Sequence, residues 1–169
     1  MKKLTTIACL LCLSLAMTAC GSDDEGGPDK TATPATAVET AAPTPKMETI
    51  TVFTIDTTHM TTVPSRVKKN EDDDSVAYIA LLVADNLEDN DIRVADAYLD
   101  GENAVIVFNS KGKPLKNCSA EMETLILDCF STSVLDNVDG CRGVIFRSDK
   151  GEYASDNLTL GEDEIYASK

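Results

Sequence analysis

The chain has 169 residues, of which 29 are acidic and 15 basic, for a formal charge of −14. A surface of that sign repels phosphate backbones and anionic lipid headgroups, and no basic stripe overrides the mean, so nucleic acid is excluded as a partner. Hydrophobic residues make up 43% and aromatics 5%, with no Trp, which fits one ordinary domain whose core must be mostly aliphatic.

In chain order, Met1-Lys2-Lys3-Leu4 is a short basic segment and residues 5–15 form an apolar one. Their size and flanks are those of an export signal, since a membrane span needs about 20 apolar residues. The run closes on Leu15-Ala16-Met17-Thr18-Ala19-Cys20. Thr18-Ala19-Cys20 resembles the lipobox of bacterial lipoproteins, in which small residues precede a cysteine that is diacylated through its thiol. Met17 stands where Leu is usual, as a near-isosteric apolar substitute. The expectation is a signal peptide over residues 1–19, lipid (palmitate) attachment at Cys20, and a chain anchored at the cell membrane on its extracytoplasmic side. Cys9 and Cys12 have the spacing of a redox or zinc pair but would leave with the signal.

Residues 20–46 are the lipidated cysteine and a linker of Gly, Ser, Thr, Ala, Pro and acids, holding four of the six prolines, Pro28, Pro34, Pro43 and Pro45. No apolar periodicity is present to offset the entropy of ordering, so a semi-extended spacer is expected. The folded unit should occupy 47–169. Residues 50–55 are β-branched and aromatic, hence a strand, and 61–67 read as a second, short one that Pro64 confines to an edge. Acids at 71–74 and Ser75 then suit a helix N-terminus, and the helix over 76–87 carries Val76, Ile79, Ala80, Val83 and Leu87 on one face.

Asp100-Gly101 is a hairpin signal between strands at 92–99 and 104–108, the second apolar on both faces and so central. Asp96 interrupts the first arm and marks a bulge or exposed edge. Ser119 caps a second helix with Met122, Leu125, Ile126, Cys129, Phe130 and Val134 at helical spacing. Residues 144–146 give the next strand, followed by a turn at 149–151 and a loose tail. The order ββαββαβ predicts an α+β fold, a mixed β-sheet with two helices packed on one face.

Candidate chemistry is thin. His59 is the single histidine, so neither a multi-histidine metal site nor a His-based triad with visible partners can be assembled. Ser65-Arg66-Val67-Lys68 and Ser155-Asp156-Asn157 match two motifs of penicillin-binding proteins. Such a serine must open a helix, however, and here a Pro-containing β-branched stretch surrounds it, no Lys-Thr-Gly follows, and Ser110-Lys111-Gly112-Lys113 fits the first pattern equally cheaply. The acidic clusters at 71–74 and 85–91 lack the alternation and Gly turn of an EF-hand, and read as a helix cap and a solvated helix exit. Cys118 and Cys129 lie three helical turns apart, too far to bond; Cys129 and Cys141 have room to approach, with buried thiols the plainer reading. No catalytic residue, cofactor or metal ligand is expected, and Cys20 is the one site residue.

The order of these features resembles the GerMN domain, the sporulation and spore-germination module, from about Ile50 to Tyr166. The resemblance rests on the opening strand, Val63-Pro64-Ser65-Arg66-Val67, the first helix, and Asp100-Gly101-Glu102-Asn103-Ala104-Val105-Ile106-Val107-Phe108-Asn109-Ser110. It rests further on the helix with Glu123-Thr124-Leu125, the closing strand and Lys150-Gly151. An acidic insert before the first helix, the cysteines and the lack of a Gly-Pro after that helix depart from the family. The resemblance implies a secreted or lipid-anchored binding or assembly module without catalysis, with a cell-envelope protein or peptidoglycan as partner. Sheet-edge pairing through residues 63–67 is one expected mode. The competing reading is an envelope hydrolase or small-ligand-binding lipoprotein built on Ser65, His59 or an acidic cleft.

Overall fold

The β-branched stretch at the start of the folded unit makes a longer strand than its apolar centre predicts. A computed structural model, which describes residues 46–87 and 91–169, places β1 over Met47–Asp56 and β2 over Thr61–Asn70, paired antiparallel along their whole length from Met47 opposite Asn70 to Asp56 opposite Thr61. The expected export signal, Cys20 and the expected linker as far as residue 45 lie outside the described residues. Asp56 organises the turn: its Oδ1 accepts the backbone N–H of Thr58 (2.9 Å) and His59 (3.2 Å). Pro64 sits opposite Phe53, on a ribbon whose other side has no strand partner, as a missing donor requires.

This hairpin is a two-stranded sheet of its own, which corrects the expectation that its strands join the mixed sheet. The reason lies on α2 (Ala120–Asn137). The Phe53 N–H donates to Ser133 Oγ (2.8 Å), and Asn137 Nδ2 donates to the Thr51 carbonyl (2.9 Å). Val52 is fully buried. These side-chain bonds occupy the outward backbone groups of β1, fix it against a helix and leave it no free side for further strands.

Both helices begin where their caps are. Ser75 Oγ accepts the Tyr78 N–H (3.2 Å) to start α1 (Val76–Asn86), and Ser119 Oγ accepts the Met122 N–H (3.3 Å) to start α2. Each cap stabilises its helix by about 1 kcal/mol. The acids ahead of α1 divide their labour: Asp73 Oδ1 accepts from the Ser75 N–H (3.1 Å) and Oγ (2.7 Å), which holds the cap and keeps the Asp73 carboxyl below its ordinary range, while Asp74 reaches Lys69.

The mixed sheet is built around β4 (Asn103–Phe108), in which Ala104, Val105, Ile106 and Phe108 are fully buried. It pairs antiparallel with β3 (Val94–Asp100) through a two-residue turn. Gly101 has φ +61° there, the positive value at the first central position that a type II′ hairpin turn demands. The register shifts between Val94 and Asp96, so the bulge falls where Asp96 marked it. On its other side β4 pairs parallel with β5 (Gly143–Ser148) through the α2 crossover.

Beyond β5 the predicted loose tail is instead three strands, β6 (Gly151–Ala154), β7 (Thr159–Leu160) and β8 (Ile165–Ser168). β6 and β8 divide the outer edge of β5 between them: Arg147 and Ser148 pair with β6, and the segment from Gly143 to Ile145 pairs with β8. Strands of two to four residues carry too little alternation to register in a sequence pattern, yet Tyr153 and Leu160 are buried and Tyr166 packs edge-on to Phe146. The fold is α+β, with a mixed sheet and both helices against the face that bears Ala104, Ile106, Phe108, Val144 and Phe146. The opposite face bears Val105 and Ile145, and with them Arg147, whose guanidinium donates to the Glu162 carbonyl (2.8 Å), Asp163 Oδ1 (2.8 Å) and the Tyr98 hydroxyl (3.3 Å).

Lys69 is the one lysine buried among the described residues, its side chain 2% exposed. Nζ contacts Asp74 Oδ1, Glu48 Oε1 at 2.8 Å, and the carbonyls of Asn70 (3.3 Å) and Asp73 (3.4 Å). Hydrogen bonds from Asp74 and then Glu48 outweigh burial and raise its pKa, so its contribution is fully present below the ordinary lysine range and fades only as pH rises beyond it. Removing the two acids strands a buried cation, whereas removing Lys69 leaves two solvated carboxylates. The Glu48→Gln/Asp74→Asn double variant should therefore lose about 3–5 kcal/mol in urea unfolding at neutral pH, and Lys69→Met clearly less.

Candidate functional site

The residues singled out for chemistry fall apart in space and in role. Ser65 lies mid-strand in β2 and its Oγ donates to Asn86 Oδ1 (3.1 Å). That is not the helix-opening position an acylated serine needs, and Lys68, three residues on in an extended strand, points to the other face of the ribbon. His59 sits on the exposed β1–β2 turn, with Nδ1 2.7 Å from Asp56 Oδ2, a contact that lowers the Asp56 pKa. Ser155-Asp156-Asn157 form a local turn: Ser155 Oγ accepts the N–H groups of Asn157 (3.0 Å) and Leu158 (2.9 Å), and Asp156 faces Lys116 at 3.6 Å. The Ser110 N–H donates to Asp149 Oδ1 (3.0 Å), closing the loop after β4 onto the turn after β5. Among the described residues no group of three or more His, Cys, Asp or Glu side chains is arranged to hold a metal ion.

Cys129 and Cys141 are buried thiols outside any disulfide. Burial, aided by Asp128, pushes the Cys129 thiol up to about 12, the opposite of what a nucleophile needs. The Cys141 Sγ–H points at the Gly143 carbonyl at 3.4 Å.

A buried polar cluster was invisible to sequence spacing. Glu123, on the sheet-facing side of α2, accepts the Tyr153 hydroxyl at Oε1 (2.6 Å) and Asn157 Nδ2 at Oε2 (2.7 Å), and Asn157 Nδ2 also donates to the Cys118 carbonyl (3.1 Å). Burial first, and the Glu123 bond second, hold the Tyr153 hydroxyl protonated far above its ordinary range. With its oxygens committed to the C-terminal strands, Glu123 is built as an anchor. These partners are some thirty residues away in sequence, beyond the reach of any motif.

An open surface lies between α1 and β3. β3 pairs only with β4, so its outer edge is unpaired. Alanines on both sides, Ala77 on α1 and Ala95 and Ala97 on β3, leave a gap where larger side chains would close it. The result is two adjoining clefts of about 280 and 390 Å³ that share Ala77 and Ala97. Leu81 is 53% exposed, Leu99 44% and Tyr98 39%, and all three line these clefts. Asp74, Asp96 and Asp139 stand at the rim. Ala97 and Leu99 lie opposite Ile106 and Ala104, hence on the helix-facing side of the strand. In an antiparallel pair alternate residues turn their backbone groups outward; the Ala97 N–H does so and donates to Asp96 Oδ1 (2.9 Å). A carboxylate thus caps a donor on the open edge, a way of blunting indiscriminate strand pairing. The sequence signal for this surface was slight: an alanine-rich strand with the apolar pair Tyr98-Leu99 before its turn.

A scan of family models finds no match to this chain, and searches of curated proteins and of solved structures find none either.

Two outcomes check the site's construction. Glu123→Leu leaves the buried Tyr153 hydroxyl without an acceptor, while the exposed Asn157 amide keeps the Cys118 carbonyl, and should cost about 1–3 kcal/mol in urea unfolding, more than Glu123→Gln, which retains an acceptor oxygen. Stability should also fall as pH rises from 9.0, the ordinary thiol value, toward about 12, because the unfolded chain loses the Cys129 proton first. Cys129→Ala should flatten that fall in denaturation curves recorded across the range.

Proposed function

We propose that this chain is a bacterial lipoprotein, anchored by lipid at Cys20 on the extracytoplasmic side of the cell membrane. In this reading its folded part is a non-catalytic binding or assembly module of GerMN type, acting in sporulation, germination or another cell-envelope process. The observation that carries the reading is Leu15-Ala16-Met17-Thr18-Ala19-Cys20 at the end of a basic-then-apolar segment, followed at once by a polar Pro/Thr/acid linker. A chain of formal charge −14 gains nothing from anionic headgroups, so a covalent lipid is the means of holding it at a membrane. One acyl chain binds a bilayer only marginally and two bind it stably, which fits a diacylated thiol.

The position of Ser65 within a strand and of His59 on an exposed turn supports binding over envelope hydrolysis, as does the open edge of β3 beside an apolar cleft. The partner is a cell-envelope protein or peptidoglycan, and no cofactor is invoked. The test is metabolic labelling with a palmitate analogue in the native host. Wild type should carry label and sediment with membranes, and Cys20→Ala should lose both; label retained by the variant overturns the anchoring. Affinity capture at native expression should recover an envelope component, and its absence overturns the binding role.

A further inference from the structure

We infer that the cleft between α1 and the outer edge of β3 is a docking groove for an extended polypeptide segment that alternates apolar with Lys or Arg side chains, joined to β3 as an added strand. The inference rests on the binding-module reading above and names the partner chemistry for it. Three features select that occupant. First, the edge of β3 is unpaired, and Leu99 turns outward as Ala97 does, so an incoming backbone finds groups to pair with. Second, a strand laid there projects every second side chain toward α1, into the clefts beside Ala77 and Leu81, where an aliphatic side chain fills the space the alanines leave.

Third, the charges at the rim have one sign. Asp74, Asp96 and Asp139 line the clefts, with Asp100 at the strand's end, and no Lys, Arg or His lines either one. An acidic segment is repelled at each of these positions, and a basic one is drawn to them. The same rim, on a chain of charge −14, opposes docking of a second copy. Asp96 sharpens the selection. Its carboxylate occupies the Ala97 N–H in the absence of a partner, so a segment must displace it to pair fully. A cation on that segment compensates the released carboxylate, and a neutral or acidic segment leaves it uncompensated.

The test uses the whole chain in a non-ionic detergent and a fluorescent octapeptide alternating valine and lysine, with an otherwise identical valine–glutamate peptide as control. The lysine peptide should bind in anisotropy titrations and weaken at least tenfold between low salt and 0.5 M salt. It should shift the amide signals of Ala97 and Leu99 rather than those of β1 and β2. The Leu81→Lys/Leu99→Lys variant changes two exposed positions; it should retain the wild-type far-ultraviolet spectrum and lose at least tenfold in affinity. Equal binding of the glutamate peptide, unchanged affinity in the folded variant, or shifts confined to the hairpin each overturn the groove. Self-association abolished by the variant overturns it in favour of a second copy. No binding of the lysine peptide while native capture still recovers an envelope component overturns the groove and spares the binding role, whereas failure of both overturns both.

Discussion

Phe108 ends the central strand, and the packing of the mixed sheet depends on what it touches. Its ring meets Phe130 of α2 edge-on at 5.1 Å, Phe146 of β5 at 5.7 Å and Tyr153 of β6 at 6.4 Å, and Phe146 carries the contact on to Tyr166 of β8 at 5.1 Å. The chain has eight aromatic residues, and five of them are in this one cluster, so an otherwise aliphatic core concentrates its largest buried surfaces where five elements converge. Each such ring pair adds about 0.5–1.5 kcal/mol beyond the area it buries. The parallel β4–β5 pair must be closed across a whole helix in sequence, and the rings stand directly over it.

From that cluster the remaining architecture follows outward. Once Phe130 sets α2 against the sheet, Ser133 and Asn137 follow three and seven residues on, one turn apart along the neighbouring flank, where β1 takes up both. The hairpin is thus fixed by a helix rather than by strand neighbours. Lys69 then ties its far end to the loop that starts α1, and Glu123 ties α2 to the C-terminal strands. Buried polar groups of this kind add little net stability for the desolvation they require, but they admit few alternative registers. Thr51, Phe53 and Lys69 are each held by a specific partner, so a slip of the hairpin by one residue would break all three.

What sequence reasoning reached was local. Ser75 and Ser119 were read as caps and cap their helices, the Asp100-Gly101 turn joins the arms it was expected to join, and Ala104 to Phe108 are central because an unbroken apolar run has no solvent face. The separation of the β1–β2 ribbon from the sheet escaped, because it depends on Ser133 and Asn137, some eighty residues away. The three closing strands escaped because each is shorter than one full pattern of alternation. At the candidate groove only Asp96, as a bulge, was foreseen; Ala77 and Ala97 are unremarkable until the fold sets them opposite each other.

The division of the β5 edge between β6 and β8 bears on when this protein can fold. Gly143 and Val144 complete their ladder only with Ser168 and Ala167, and the Lys169 N–H closes onto the Arg142 carbonyl (3.0 Å). β5, which carries Phe146 of the aromatic cluster, therefore has its outer edge covered only when the segments before and after β7 are both in place. Until then it presents an unpaired strand edge, a template on which another chain can pair.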